Sequence, residues 1–239
     1  MSVLRDQYFL LRKLHQFTGA VPLGLYLTIH LLVNSTALGP RGVENFEAGV
    51  HLLESLPALP VWEFTLIYLP LVYHSIFGVW VAFIAKNNPL RFPYARNWNF
   101  VLQRYTGLFL TVFLVYHAYK MRFSGTPIDD HGFDKVRDHL ANPAMATAYG
   151  VFVLATAFHF ANGLWEFCID WGLTVSARAQ KLTSMAVPLV TLVFFGLGMM
   201  AIVGFRTSHE EPSAAPARAQ AIHASPSFSV RTGDAVAAR

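Results

Sequence analysis

The chain has 239 residues, is 54% apolar and only 13% charged, and carries a formal charge of +4 at pH 7. Soluble domains carry about 25% charged residues, so the deficit points to a bilayer as the solvent. The small, scattered positive charge argues against nucleic-acid binding. A single cysteine, Cys168, excludes both an intrachain disulfide framework and covalent Cys-x-x-Cys-His haem attachment.

In chain order, residues 1–13 read as a basic lead. Arg5, Asp6, Arg12 and Lys13 interrupt any cleavable signal-peptide pattern. Five apolar runs follow, at 17–37, 62–85, 99–121, 147–170 and 184–205. Each approaches or exceeds the ~20 residues needed to cross hydrocarbon. A backbone in lipid must satisfy its own hydrogen bonds, so all five are predicted to be helices, I to V. Residues 38–61, with Glu44, Glu47 and Glu54, are predicted to include a short surface helix, and Pro70 to bend helix II. Residues 86–98 read as a basic loop, 122–146 as a polar loop holding four Asp, and 171–183 as a short connection. The Ala-, Ser- and Pro-rich residues 206–239 read as a disordered tail. The predicted domains are thus a lead at 1–13, a transmembrane domain at 14–205 and the tail.

Lys and Arg set the orientation. Arg5, Arg12, Lys13, Lys86, Arg91, Arg96, Arg104, Arg178 and Lys181 flank one side, and Arg41, Lys120, Arg122, Lys135 and Arg137 the other. The positive-inside rule predicts a cytoplasmic N-terminus and, after five crossings, an external C-terminus.

Two patterns occur twice. His74-Ser-Ile-Phe-Gly78-Val-Trp80 in helix II matches His159-Phe-Ala-Asn-Gly163-Leu-Trp165 in helix IV. His15-Gln16-Phe-Thr18-Gly19 leads to His30 in helix I, and Gln103-Arg104-Tyr-Thr106-Gly107 leads to His117 in helix III. A helix pair has been used twice, with helix V outside the repeat.

An imidazole in hydrocarbon is costly unless bonded, and haem iron accepts one on each face. At about 1.5 Å rise per residue, His74 and His159 share an inner depth, and His30 and His117 lie further out. Alternate helices of an up-down bundle face each other diagonally. The predicted metal ligands are therefore His74 with His159 for one haem b, and His30 with His117 for a second. Gly78 and Gly163 lie four residues past their histidines, where a missing side chain gives a porphyrin room or lets helices approach. Trp80 and Trp165 read as aromatic anchors or packing residues. Haem propionates need polar or cationic partners, and Gln16, Trp98, Arg104, Arg178 and Lys181 lie near the inner end, with headgroup contact as the other reading of Arg178 and Lys181. Glu166, on the face of His159, reads as a propionate neighbour, a partner of a base or a snorkelling carboxylate. His15 reads as a propionate partner or an interfacial residue. His51, His131, His139, His209 and His223 read as solvated.

These segments, with Leu-Pro70-Leu-Val-Tyr-His74 and Gly172-Leu-Thr-Val-Ser176 followed by Arg178-Ala-Gln-Lys181, resemble the diheme cytochrome b membrane subunit of bacterial succinate:quinone oxidoreductases. The resemblance covers roughly residues 10–205. It implies an all-α membrane protein, helices I–IV forming a diheme bundle with helix V peripheral. It implies a flavoprotein and an iron–sulfur subunit docked on the cytoplasmic side, the flavoprotein carrying the dicarboxylate chemistry. It further implies a place in the bacterial inner membrane and exchange with a quinone, menaquinone foremost, near the outer haem. Fumarate reductases of this family that couple proton movement to quinol oxidation carry a Glu two positions before the helix IV ligand. Here that position is Ala157, which favours succinate oxidation. A proton-coupled transporter using the histidines as a relay, and an anchor without haem, are the competing readings. Association of complexes into higher oligomers is left open.

Overall fold

The computed structural model describes residues 2–124 and 128–208. The tail from His209 onward, with His209 and His223, lies outside them, as do the side chains of Arg5 and His131. Among the described residues all regular structure is helical.

Helix α1 (Ser2–Ala20) runs through Val21 into α2 (Pro22–Ser35). Pro22 has no N–H to give, but Val21 N donates to Phe17 O at 2.9 Å and Leu25 N to Val21 O at 3.0 Å, so the rod continues. The basic lead is therefore helical and lengthens helix I. The surface helix expected after it is α3 (Gly42–Glu54), which buries Phe46. Helix II is built from α4 (Leu59–Trp62), a π-helical turn at Glu63–Tyr68 and α5 (Leu69–Ile84). Pro70 follows the π turn directly, which is how the rod accommodates the hydrogen bond that proline cannot donate.

Helix III is α6 (Ala95–Ala118), ending in a second π turn at Tyr119–Phe123. The segment expected to be a polar loop instead holds α7 (Ile128–Ala141), with Phe133 and Leu140 buried beneath it. Its charged residues form an outer face, with Arg137 paired to Asp134 and Asp138, while two apolar residues seven apart supply an inner one. Helix IV is α8 (Pro143–Asp170), capped by the Asn142 side chain, which accepts from Ala144 N at 2.9 Å. It ends at Gly172, whose φ of +72° suits a residue without Cβ. Then come α9 (Ala177–Ser184), capped by Ser176, and α10 (Ala186–Thr207). Ser208 is buried and donates to Ala37 O at 2.7 Å, so the ordered fold extends slightly past residue 205.

Among the described residues four helices are long and apolar enough to cross a membrane: Gln7–Ser35, Leu59–Ile84, Pro143–Asp170 and Ala177–Thr207. The 24 residues of α6 are long enough, but its polar run Gln103-Arg104-Tyr105-Thr106 dilutes its hydropathy.

Packing runs in a ring. Helix I contacts α5, α5 contacts α6, α6 contacts α8, and α8 closes on α1. Helices I and III, and II and IV, therefore face each other across the bundle, and α10 lies outside against α8 and α2. Gly198 permits the α8–α10 approach, since a Cβ there would overlap Val153. Large apolar side chains stay exposed along the rods, Phe83, Val112 and Val115 among them. The largest buried cluster sits at the end away from the N-terminus. There the rings of Phe46, Phe133 and Phe205 lie 5.0–6.0 Å apart, joining α3, α7 and α10.

Candidate functional site

The four histidines predicted as ligands come together in two pairs. Toward the N-terminal end, the His74 and His159 ring centroids are 6.3 Å apart with planes at 83°. Toward the opposite end, His30 and His117 are 5.9 Å apart with planes at 89°. Each pair joins diagonal helices, II with IV and I with III.

The repeat explains how the N-terminal-end pair is held. His74 Nδ1 lies 2.9 Å from His15 O, and His159 Nδ1 lies 3.1 Å from Gln103 O. His15 and Gln103 are equivalent positions, each three residues before the repeated Thr-Gly. The same carbonyls accept from Thr18 Oγ1 at 2.9 Å and Thr106 Oγ1 at 3.1 Å. A carbonyl can only accept, so each Nδ1 carries its proton and each Nε2 keeps its lone pair. The glycines complete the fit: a Cβ at Gly19 would overlap the His74 ring, and one at Gly107 would come within 2.9 Å of His159 Cε1.

At the opposite-end pair, His117 Nδ1 lies 3.2 Å from Tyr149 Oη, while Tyr26 packs 5.5 Å from His30. His139, expected to be solvated, reaches back from α7 toward Tyr116 and Tyr149. Partial burial, and then the nearby Lys120 charge, hold its pKa below the ordinary histidine value.

A metal–imidazole bond is about 2 Å, and a ring nitrogen lies about 1.2 Å from its centroid. Two rings on one ion therefore stand on the order of 6 Å apart, which both pairs match. Among the described residues no group of three or more His, Cys, Asp or Glu could hold a metal ion. Two nitrogens leave the rest of a coordination sphere to something other than the protein, such as a macrocycle.

The remaining predicted site residues divide. Gln16 donates to the Asp170 carboxylate, with its own Oε1 buried and unpartnered. Arg104 donates to Asn87 Oδ1 and to Ala82 O at the end of α5, stacks 5.5 Å from Phe100, and leaves Nε buried without a partner. Trp98 and Lys181 are exposed. The two glycines face side chains of helices I and III: Gly78 lies under the His15 ring and Gly163 under the Gln103 amide. His15 itself stacks 4.0 Å from His74. Trp80 is exposed, whereas Trp165 is buried and donates to Gln180 O at 3.1 Å.

Sequence reasoning missed Asn162, Thr106 and Tyr149 as partners. Asn162 was readable as a polar residue one turn beyond His159 inside an apolar helix. It is fully buried, and its Nδ2 donates to Gln103 Oε1 at 3.1 Å and to Glu166 Oε1 at 3.0 Å. Glu166 thus turns inward.

Residues 88–198 match the profile of the succinate dehydrogenase/fumarate reductase transmembrane subunit. Among curated proteins, the chain is similar to the succinate dehydrogenase cytochrome b558 subunit of Bacillus subtilis (strain 168). The two are 40% identical over 205 residues, which is 86% of this chain and all of that relative. No solved structure matches.

Proposed function

From the premise that the chain belongs to the family of succinate dehydrogenase/fumarate reductase transmembrane subunits, we propose that it is the diheme, quinone-reactive anchor of a succinate:quinone oxidoreductase. The observation that carries this reading is the pair of diagonal histidine couples, each at a ring spacing that would suit two imidazoles on one metal ion.

His74 and His159 would hold the haem b nearer the cytoplasm, and His30 and His117 would hold the distal one. The backbone carbonyls of His15 and Gln103 hold the two N-terminal-end imidazoles in the tautomer that leaves Nε2 free. Tyr149 Oη stands 3.2 Å from His117 Nδ1, placed to accept its proton when Nε2 faces the metal. Gln16 and Arg104 bring unpartnered buried polar atoms to the inner end, where propionates require partners. Trp98 and Lys181 stand at the same end in the first turn of α6 and in α9. Gly78 and Gly163 keep the helix faces beside the ligands low. Bound haem supplies one-electron carriage between the two ends of the bundle.

In this reading α6 is a fifth span, its polar run facing the bundle rather than lipid, and the N-terminus is cytoplasmic. There Arg12, Lys13 and Arg96 stand toward the iron–sulfur and flavoprotein subunits, which carry out the dicarboxylate chemistry. Electrons pass outward to a quinone, menaquinone being the species proposed, in the bacterial inner membrane. Ala157, buried at the position discussed above, favours succinate oxidation as the direction.

The test is a reduced-minus-oxidised optical spectrum with a pyridine haemochrome assay on the assembled complex. Two b haems per chain are expected; a pigment-free complex overturns the reading.

A further inference from the structure

Helices II and IV repeat one pattern, yet they diverge beyond their histidines. Three and seven residues past His74 stand Phe77 and Val81; past His159 stand Asn162 and Glu166. In helix IV a continuous polar chain results. The Glu166 carboxylate accepts from Asn162 Nδ2 at 3.0 Å, Asn162 Nδ2 also reaches Gln103 Oε1 at 3.1 Å, and Gln103 Nε2 donates to His159 O at 3.0 Å. Asn162 is wholly inaccessible and its Oδ1 has no partner. Phe77 fills the equivalent place in helix II, so packing of the repeat does not require polar groups there. A carboxyl group inside a transmembrane helix is costly, and marks function more often than packing.

The charged groups around Glu166 are Arg12 on α1, Arg96 on α6 and Asp170 on its own helix. Both cations are engaged elsewhere. Arg12 lies 3.7 Å from Asp170, and Arg96 stacks 5.6 Å from the Trp165 ring. Arg178 and Lys181 of α9 are exposed. Glu166 is thus linked through Asn162 and Gln103 to the backbone carbonyl of His159 and stands two helical turns from that residue toward the N-terminal end.

We infer that Glu166 is the proton acceptor coupled to reduction of the haem held by His74 and His159. This rests on the two-haem reading above. Glu166 binds one proton, delivered by hydronium at the cytoplasmic face, when that haem takes one electron from the reduced iron–sulfur cluster of the partner subunit. Iron goes from ferric to ferrous, the new bond is the carboxyl O–H, and both changes reverse on reoxidation. Two turns are roughly 10 Å. At an effective dielectric constant of about 20, one unit of charge at that distance alters proton affinity on the order of tenfold.

The experiment is spectropotentiometric titration of both haems in the complete complex at several pH values, with redox-difference infrared spectra. In the wild type, one haem's midpoint potential falls as pH rises, and a carboxyl C=O band appears on reduction. Glu166→Gln keeps both haems, flattens that haem's pH dependence and removes the band; Glu166→Asp retains the dependence with a displaced band. A wild-type midpoint independent of pH, or unchanged behaviour in Glu166→Gln, overturns the inference while leaving the haem assignment standing. Should Glu166→Gln fail to assemble, the Asp variant decides: a displaced band supports the role and an undisplaced one refutes it. A wild-type complex without haem sinks the underlying reading instead.

Discussion

Gly19 of helix I is seated against the imidazole of His74 on helix II, and a Cβ at that glycine would overlap the ring. Gly107 stands in the same relation to His159, with 2.9 Å from a built Cβ to Cε1. The repeated Thr-Gly is therefore a seat for the neighbouring helix's histidine. Gly19→Val and Gly107→Val should each displace one ring of the same couple. The expected outcome is loss of one haem of two, the same one in both variants, read by redox titration and haemochrome stoichiometry. Loss of different haems would contradict the seating.

The diagonal pairing makes a sharper statement about the ligands themselves. His74→Ala and His159→Ala should abolish one haem, and His30→Ala and His117→Ala the other. Redox-resolved spectra of the four variants check this, and a shared loss by His30→Ala and His74→Ala would break the pairing.

Tyr149 Oη lies 3.2 Å from His117 Nδ1, and in the proposed ligation, with Nε2 on the metal, the tyrosine oxygen is the acceptor for the Nδ1 proton. Removing that acceptor makes the imidazole a weaker donor to ferric iron, and partners of this kind typically matter by about 10–100-fold in metal affinity or activity. Tyr149→Phe should keep both haems, raise the midpoint potential of the distal one and leave the other unchanged. Potentiometry resolves the two.

Phe205 is 1% exposed and stacks with both Phe46 and Phe133. Phe205→Ala should cost about 3–5 kcal/mol. The expected consequence is a lower midpoint in detergent-induced unfolding, together with earlier proteolysis of α7. An exposed change such as Val112→Ala should cost far less, because that side chain packs against little of the protein.

His139 has its pKa held below the ordinary 6.5, by burial first and Lys120 second. The unfolded chain therefore binds its proton at higher pH than the folded one does. Stability is full above about pH 6.5 and falls as pH drops below it, until the folded value is passed. Unfolding of the α7 end followed between pH 7.5 and 5 should show this acid sensitivity, and His139→Gln should remove part of it.

What the sequence determined by itself was local or periodic. Apolar runs gave the membrane helices, because a backbone in lipid has few alternatives. The twice-written histidine and Thr-Gly patterns gave the repeat, and rise per residue gave the matched depths. Tertiary structure decided what periodicity does not encode. The apolar residues of α7 are few and scattered in a polar stretch, so the segment read as loop until α3 and α10 supplied something for Phe133 to pack against. Gly78 and Gly163 read either as room for a porphyrin or as a close helix approach, and neighbouring helices bring His15 and Gln103 against them. Glu166 read equally as a propionate neighbour, a partner of a base or a snorkelling carboxylate. Only the approach of Gln103 from helix III gave Asn162, and through it Glu166, a reason to turn inward. A side chain's partner comes from another segment of the chain, and no spacing within its own helix records it.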